Sequence, residues 1–263
     1  MKKYLELLRV TIDQYFVYRL NFTLWRFRVV LNMILIYFLW SAIYLSNRQV
    51  FGYSKQMMLT YVLLTSFLSD FVFSSKIHEI GAEILQGEII NRILKPMSFF
   101  SYVITREIAD KLVNVVFSIG EIVVLILLLR PQLAAPHDSI ALIVAVIQII
   151  IGLVLAFFIS FSISTIAFWT AEIWAPRFIY FILVFMLAGN YFPLDIIPGP
   201  AYLGLLLTPF PYFIFLPAQI YLKGVGPLYP FELVMSLVWI GLSYMLAHYL
   251  WTRGMKEYSF YGR

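Results

Sequence analysis

The chain has no cysteine, and charge is scarce: Asp, Glu, Lys and Arg make up 13% of its 263 residues. Without cysteine there is no disulfide framework, no thiol chemistry and no cysteine-based metal site. A soluble domain usually carries about 25% charged residues, so too few are present here to clothe a water-facing surface. No Gly-x-x-x-x-Gly-Lys-Ser/Thr string occurs, and Lys223-Gly224-Val225-Gly226-Pro227 is only a glycine-containing turn. The chain therefore has no P-loop to cradle phosphates. A Gly-x-Ser-x-Gly elbow and a zinc-protease helix are missing too. His78, His137 and His248 stand apart, with no spacing that resembles a metal site. No catalytic residue and no metal ligand is assigned.

What the sequence does have is apolar length. Hydrophobic residues make up 62% of it, and the runs 112–129 and 140–168 hold 18 and 29 residues, against the roughly 20 that cross a bilayer core. The formal charge of +5 then reflects membrane topology rather than nucleic-acid binding. The first apolar stretch follows a long charged segment, as expected of a retained span rather than a cleaved signal.

Leu5, Leu8, Ile12, Tyr15 and Phe16 recur at helical spacing, with Lys2, Lys3, Glu6, Arg9 and Asp13 mainly between them. That pattern predicts an amphipathic helix over residues 1–28 lying in the membrane interface. Spans are expected at 29–45, 57–73, 112–129, 140–169, 178–192 and 231–251. Between the second and third, residues 74–111 read as a hydrophilic loop with two short helices divided at Gly87 and stopped near Pro96. Ile77, Ile80 and Ile84 share one face there, with His78, Glu79, Glu83 and Gln86 off it. Eight of the 12 prolines lie in 193–230, although 201–222 is strongly apolar. A straight span holding Pro209, Pro211 and Pro217 would leave backbone groups unpaired in lipid. A re-entrant helical hairpin over 193–230 avoids that.

Charge sets the orientation. With the amino-terminal segment, the loops at 74–111 and 170–177 and the tail on the cytoplasmic side, fifteen of the 19 Lys and Arg residues lie inside. Arg48, Lys55, Arg130 and Lys223 remain outside, a strong positive-inside bias. The expected fold is an all-α integral membrane protein: one transmembrane domain over 1–263, six helices across, both termini cytoplasmic.

Two strings in this arrangement, Gly87-Glu88-Ile89-Ile90-Asn91-Arg92-Ile93-Leu94-Lys95-Pro96 and Gly189-Asn190-Tyr191-Phe192-Pro193-Leu194-Asp195-Ile196-Ile197-Pro198, resemble local patterns of the permease subunit of ABC-2-type ABC transporters, a family mostly of exporters. The resemblance implies a location in the bacterial cytoplasmic membrane and a path formed with a second permease, either a copy or a paralogue. It also implies separate ATPase subunits that bind ATP and Mg, so this chain is a transport subunit and not itself an enzyme. Residues 74–96 would supply the coupling helix, with Ile77, Ile80, Glu83, Ile84 and Arg92 as ATPase contacts. The hairpin would cap the outer end of the path.

Among single residues, Glu121 lies halfway along the third span, where an ionisable group faces a protein interior or cavity. It reads either as lining the path or relaying protons, or as packed and hydrogen-bonded to a neighbouring span. Asp70 sits at a span end, Asp195 reads as a helix cap, and Ser160, Ser162, Ser164 and Thr165 as hydroxyls bonded back to their own helix. Two rival functions remain open: a proton-driven secondary transporter, which calls for matched broken helices in both halves, and a non-transporting membrane scaffold. Substrate identity is beyond the sequence.

Overall fold

The computed structural model describes residues 2–46, 49–94 and 97–258, and its elements are almost entirely helical. In chain order they are α1 (Lys2–Val17), α2 (Arg19–Ile43), a hairpin of β1 (Gln49–Val50) and β2 (Tyr53–Ser54), α3 (Lys55–Phe73), α4 (His78–Leu85), α5 (Ile89–Ile93), α6 (Phe99–Leu129), α7 (Ser139–Thr165), α8 (Trp174–Leu187), α9 (Gly199–Leu206), α10 (Phe215–Lys223) and α11 (Tyr229–Glu257). Among the described residues five helical segments are long and apolar enough to cross a membrane. They are built on α2, α3, α6, α7 and α11. The eighth helix, with 14 residues, is about 21 Å long at 1.5 Å per residue, shorter than a bilayer core of about 30 Å.

The third helix is the axis of the bundle. Of the most apolar stretch in Lys55–Leu85, 61% is buried, against 17–28% in the other four segments. It packs on α2, α6, α7 and α10, while α7 also carries α4 and α11. The outer faces of α2, α6 and α11 remain apolar and exposed, with Leu35, Leu128 and Val234 among them, as lipid-facing surfaces require.

Several boundaries differ from those expected. The segment anticipated as one interfacial helix to residue 28 divides at Tyr18, and residues 19–28 already belong to α2. The first helix packs on α6 through a face that includes buried Thr11, leaving Leu5, Val10 and Phe16 more than half exposed. The sixth helix starts at Phe99, so the expected loop to residue 111 is helical from there on. Its charges are tolerated because each finds a partner: Glu107 accepts from Ser75 Oγ at 2.7 Å, and Lys111 Nζ donates to Val72 O at 2.9 Å. The eighth helix ends five residues before the expected boundary of 192, because Gly189 takes a left-handed φ of +81°. A side chain there is barred twice over: an added Cβ would lie 2.7 Å from Tyr61 Oη and 2.9 Å from Phe215 Cβ. The two short helices divided at Gly87 are present as α4 and α5, with Gly87 at φ +76°. Lys95 and Pro96 lie outside the described residues, as do Arg48 and Arg263.

The proline-rich segment folds as a 3-10 turn at Leu194–Ile196, α9, a second 3-10 turn at Phe210–Tyr212, and α10. Its two ends meet. Asp195 accepts from Lys223 Nζ at 2.7 Å and from Tyr53 Oη at 2.9 Å, and the ammonium lies 3.8 Å over the Tyr53 ring. Asp195 thus ties the segment shut rather than capping a helix. Burial, reinforced by this carboxylate, pushes the Tyr53 hydroxyl well above its usual range, so it remains a donor.

The turn between α9 and α10 reaches the midpoint of α7. Tyr212, Phe213, Ile214 and Phe215 are fully buried, and an added Cβ on Gly152 would stand 3.0 Å from the carbonyl oxygens of Tyr212 and Phe213. Backbone at that distance cannot swing aside as a side chain can. Gly152→Ala is therefore expected to destabilise the protein by about 1–3 kcal/mol, the usual cost of overpacking. The measurement is thermal unfolding in detergent, with Gly120→Ala as the control because nothing lies within 4 Å of an added Cβ there. Equal melting temperatures for the two variants would contradict this packing.

One end of the bundle gathers the β-hairpin, the 130–138 connection and the end of α10. Gln56 Nε2 donates to Leu133 O at 2.6 Å, Thr60 Oγ1 accepts from Ala134 N at 2.8 Å, and His137 N donates to Tyr221 O at 2.9 Å. At the other end α4 meets the carboxyl end of α7 and the start of α8, where Ser164 Oγ donates to Ile77 O at 3.0 Å and Arg177 Nη2 to His78 O at 2.9 Å. The hydroxyl cluster bonds back to its own helix as expected, with Ser162 on Phe158 O and Thr165 on Ser162 O, both at 2.8 Å.

Candidate functional site

A groove runs along one face of the bundle from the α4 end toward Asn190. Its inner part is a cavity of ≈ 410 Å³ between α2, α3 and α8, lined by Arg28, Asn32, Ser66, Ser69, Asp70 and Asn190 and walled by Trp25, Phe73, Phe181, Phe185 and Tyr191. A second cavity of ≈ 410 Å³ continues it past α1 and the start of α4, with Gln14, Tyr15, Asn21, Lys76, His78, Glu79 and Asp110 in its lining. The two share Trp25, Phe73, Ser74 and Phe181, which makes them one channel-like depression. Its inner limit is the 189–191 segment, held by Tyr61 Oη on Gly189 O at 2.5 Å and Trp40 Nε1 on Tyr191 O at 2.7 Å. Polar groups in a membrane-embedded bundle are costly unless paired or facing a cavity. Here they line one.

Behind the groove, Arg26 of α2 joins α3 to α6. Its guanidinium donates to Asp70 Oδ2 at 2.5 Å, to Glu121 Oε1 at 2.6 Å and to Ser118 Oγ at 2.9 Å. Ser118 Oγ in turn donates to Asp70 Oδ2 at 2.5 Å. Asn114 extends the chain to Asp110, which accepts from Tyr15 Oη on α1. One planar five-donor fork satisfies two carboxylates at once. Glu121 is therefore held by Arg26 and does not line either cavity, whereas Asp70 does line the groove.

At the α4 end a second buried guanidinium, Arg106 of α6, bonds Glu83 at 2.9 Å and the Tyr102 hydroxyl at 3.0 Å, and also pairs with Glu79. Arg92 of α5 approaches Glu83 at 3.6 Å. Of the expected ATPase contacts, Ile77, Ile80, Glu83 and Ile84 are all buried in the chain's own packing, at 7% exposure or less. Arg92 is partly exposed, and the open face of this region carries Glu79, Gln86, Glu88, Asn91 and Leu94. The isoleucines share one face, as their spacing indicated, and that face is turned inward against α7 through close approach at Gly81, where an added Cβ would be 3.3 Å from Ser164 O.

The sequence reading passed over Arg26, Arg106, Asn32 and Asn190. A signal existed for the first of these. Arg26 lies in the aromatic stretch Phe22–Phe27, and Asp70 and Glu121 are isolated acids in apolar runs; lone ionisable residues in spans seek one another.

A family model described as "ABC-2 family transporter protein" matches residues 30–262, nearly the whole chain beyond the first turns of α2. A comparison with curated proteins gives no match.

Proposed function

Since the chain belongs to the ABC-2 family of transporter proteins and is a multi-pass membrane permease, we propose that it forms an export path with a second permease, powered by separate ATPase subunits. The observation that carries this reading is the continuous groove between α2, α3 and α8, polar on its floor and aromatic on its walls, which begins at the helix expected to meet the motor. In this reading α8 is a sixth crossing, completed by the irregular residues 188–193 after it. The α9–α10 segment is a re-entrant hairpin, favoured by the contact of its turn with mid-α7 and the closure of its ends at Asp195. The first helix lies in the interface, with Leu5 and Phe16 toward lipid.

Both termini and α4–α5 face the cytoplasm of a bacterium, the side to which the positive-inside bias points. ATP and Mg belong to the partner, since the sequence has no P-loop. The partner meets the exposed side of α4–α5, at Glu79, Gln86, Glu88 and Arg92, while Ile77, Ile80, Glu83 and Ile84 fix that helix to the bundle and pass its movement inward. The second permease is a copy of this chain or a paralogue of it.

Purification of the chain with its co-expressed neighbours tests this directly. A P-loop ATPase is expected to copurify, and proteoliposomes holding both are expected to move substrate only with ATP. A lone chain that transports on a proton gradient, with no ATPase partner, would overturn the reading in favour of secondary transport.

A further inference from the structure

The charges of the groove are unequally committed, and this bears on what it takes. Every carboxylate in its lining already has a close partner: Asp70 has Arg26, Glu79 has Arg106, and Asp110 has Tyr15 and Asn114. Neither lining cation has an ion pair among the described residues: Arg28 lies 4.2 Å over the Trp25 ring, and Lys76 bonds the neutral Gln14 side chain at 3.1 Å and lies 4.4 Å over the Tyr15 ring. Arg28 lines the inner cavity and Lys76 the outer one, and Ser66 Oγ is buried without a hydrogen-bond partner in the inner one.

We infer that the groove binds amphiphiles with an anionic head, which its two cations Arg28 and Lys76 attract, with the apolar part of the molecule against the aromatic wall of the inner cavity. The inference rests on the groove being the export path, and it names the class of molecule the path accepts. Guanidinium and ammonium groups held near aromatic faces stay available to phosphate or carboxylate, and Arg28 offers a fork suited to either. A cationic ligand would instead find Asp70 and Glu79 already in ion pairs, and Asp110 buried and hydrogen-bonded to Tyr15 and Asn114. A hydrophobic ligand without charge would leave both cations unanswered.

The test uses the chain with its copurified ATPase in discs of zwitterionic lipid. Dodecyl phosphate, dodecylphosphocholine and dodecyltrimethylammonium share one tail and differ in head charge. The readout is the tryptophan fluorescence change that is lost in Trp25→Phe, since Trp25 lines both cavities. Dodecyl phosphate is expected to half-saturate at a concentration about tenfold below that of dodecylphosphocholine, a ratio that corresponds to a single charge-assisted contact. Arg28→Ala should close most of the gap and Arg28→Lys should restore part of it; Lys76→Ala gives the same test should Arg28→Ala fold poorly. Equal or tighter binding of dodecyltrimethylammonium, or a gap that survives both alanine variants, overturns the inference. ATP-driven transport is scored separately. Its absence with head-group selectivity intact would count against the export reading and leave the binding site standing.

Discussion

Replacing Arg26 with alanine is expected to cost about 3–5 kcal/mol of stability, the range seen when one partner of a buried ion pair is removed. The side chain is 7% exposed and is the shared partner of Asp70 and Glu121. Truncation would leave two carboxylates facing each other across α3 and α6 with only Ser118 between them. Asp70 would keep only its edge on the groove and Glu121 its 14% exposure, so neither would regain full hydration without opening the bundle around its most buried helix. The measurement is a thermal or denaturant transition of the purified protein in detergent. A loss below about 1 kcal/mol, the scale of exposed pairs, would mean the triad is far wetter than its burial indicates.

A companion variant separates the pair's own worth from the cost of orphaning it. Arg26→Met with Asp70→Asn and Glu121→Gln removes all three charges while roughly keeping their volume. Buried ion pairs replaced by groups of matched shape are often neutral in stability, so this triple variant should recover most of what Arg26→Ala loses. If it does, the triad serves alignment: Arg26 fixes the register of α2 against α3 and α6, and so the width of the groove in front of it. Transport by the stable triple variant then reports on that alignment alone.

The sequence displayed what depends on composition and period, and hid what depends on tertiary partners. The long apolar runs, the break at Gly87 and the hydroxyls that bond back along α7 were all legible, because each is set within a few residues of itself. The start of α6 was hidden. Arg106, Glu107, Asp110 and Lys111 made residues 99–111 look like a loop, and only α1, α4 and the end of α3, folded against them, supply the partners that let a helix continue there. The early end of α8 was hidden for a related reason. Gly189 looks permissive in sequence, but the crowding by Tyr61 and Phe215 that makes glycine obligatory comes from segments far away. The expected coupling residues show both sides at once: a 3–4 spacing identifies Ile77, Ile80 and Ile84 as one face, but cannot say whether that face meets a partner or the chain's own core.

That burial carries a consequence for Arg106. If α4 is held by its isoleucines to α7 and by Glu79 and Glu83 to Arg106 of α6, force applied to its open face leaves by two routes, and the second leads into α6, which with α1 borders the outer cavity. Arg106→Ala should cut that route while leaving Gln86, Glu88 and Asn91 of the exposed face unchanged. The expected result is uncoupling: the ATPase still copurifies and still hydrolyses ATP, while ATP-driven transport falls by about tenfold or more, equivalent to about 1.4 kcal/mol of lost coupling free energy. Arg106→Lys keeps the charge but cannot span both glutamates and the Tyr102 hydroxyl as the planar fork does, so it should fall between the two. Glu79→Gln, on the half-exposed member of the network, should do least. If Arg106→Ala instead releases the ATPase from the complex, the residue acts in docking. Transport equal to that of the unaltered protein would show that α4 drives the path through α7 alone.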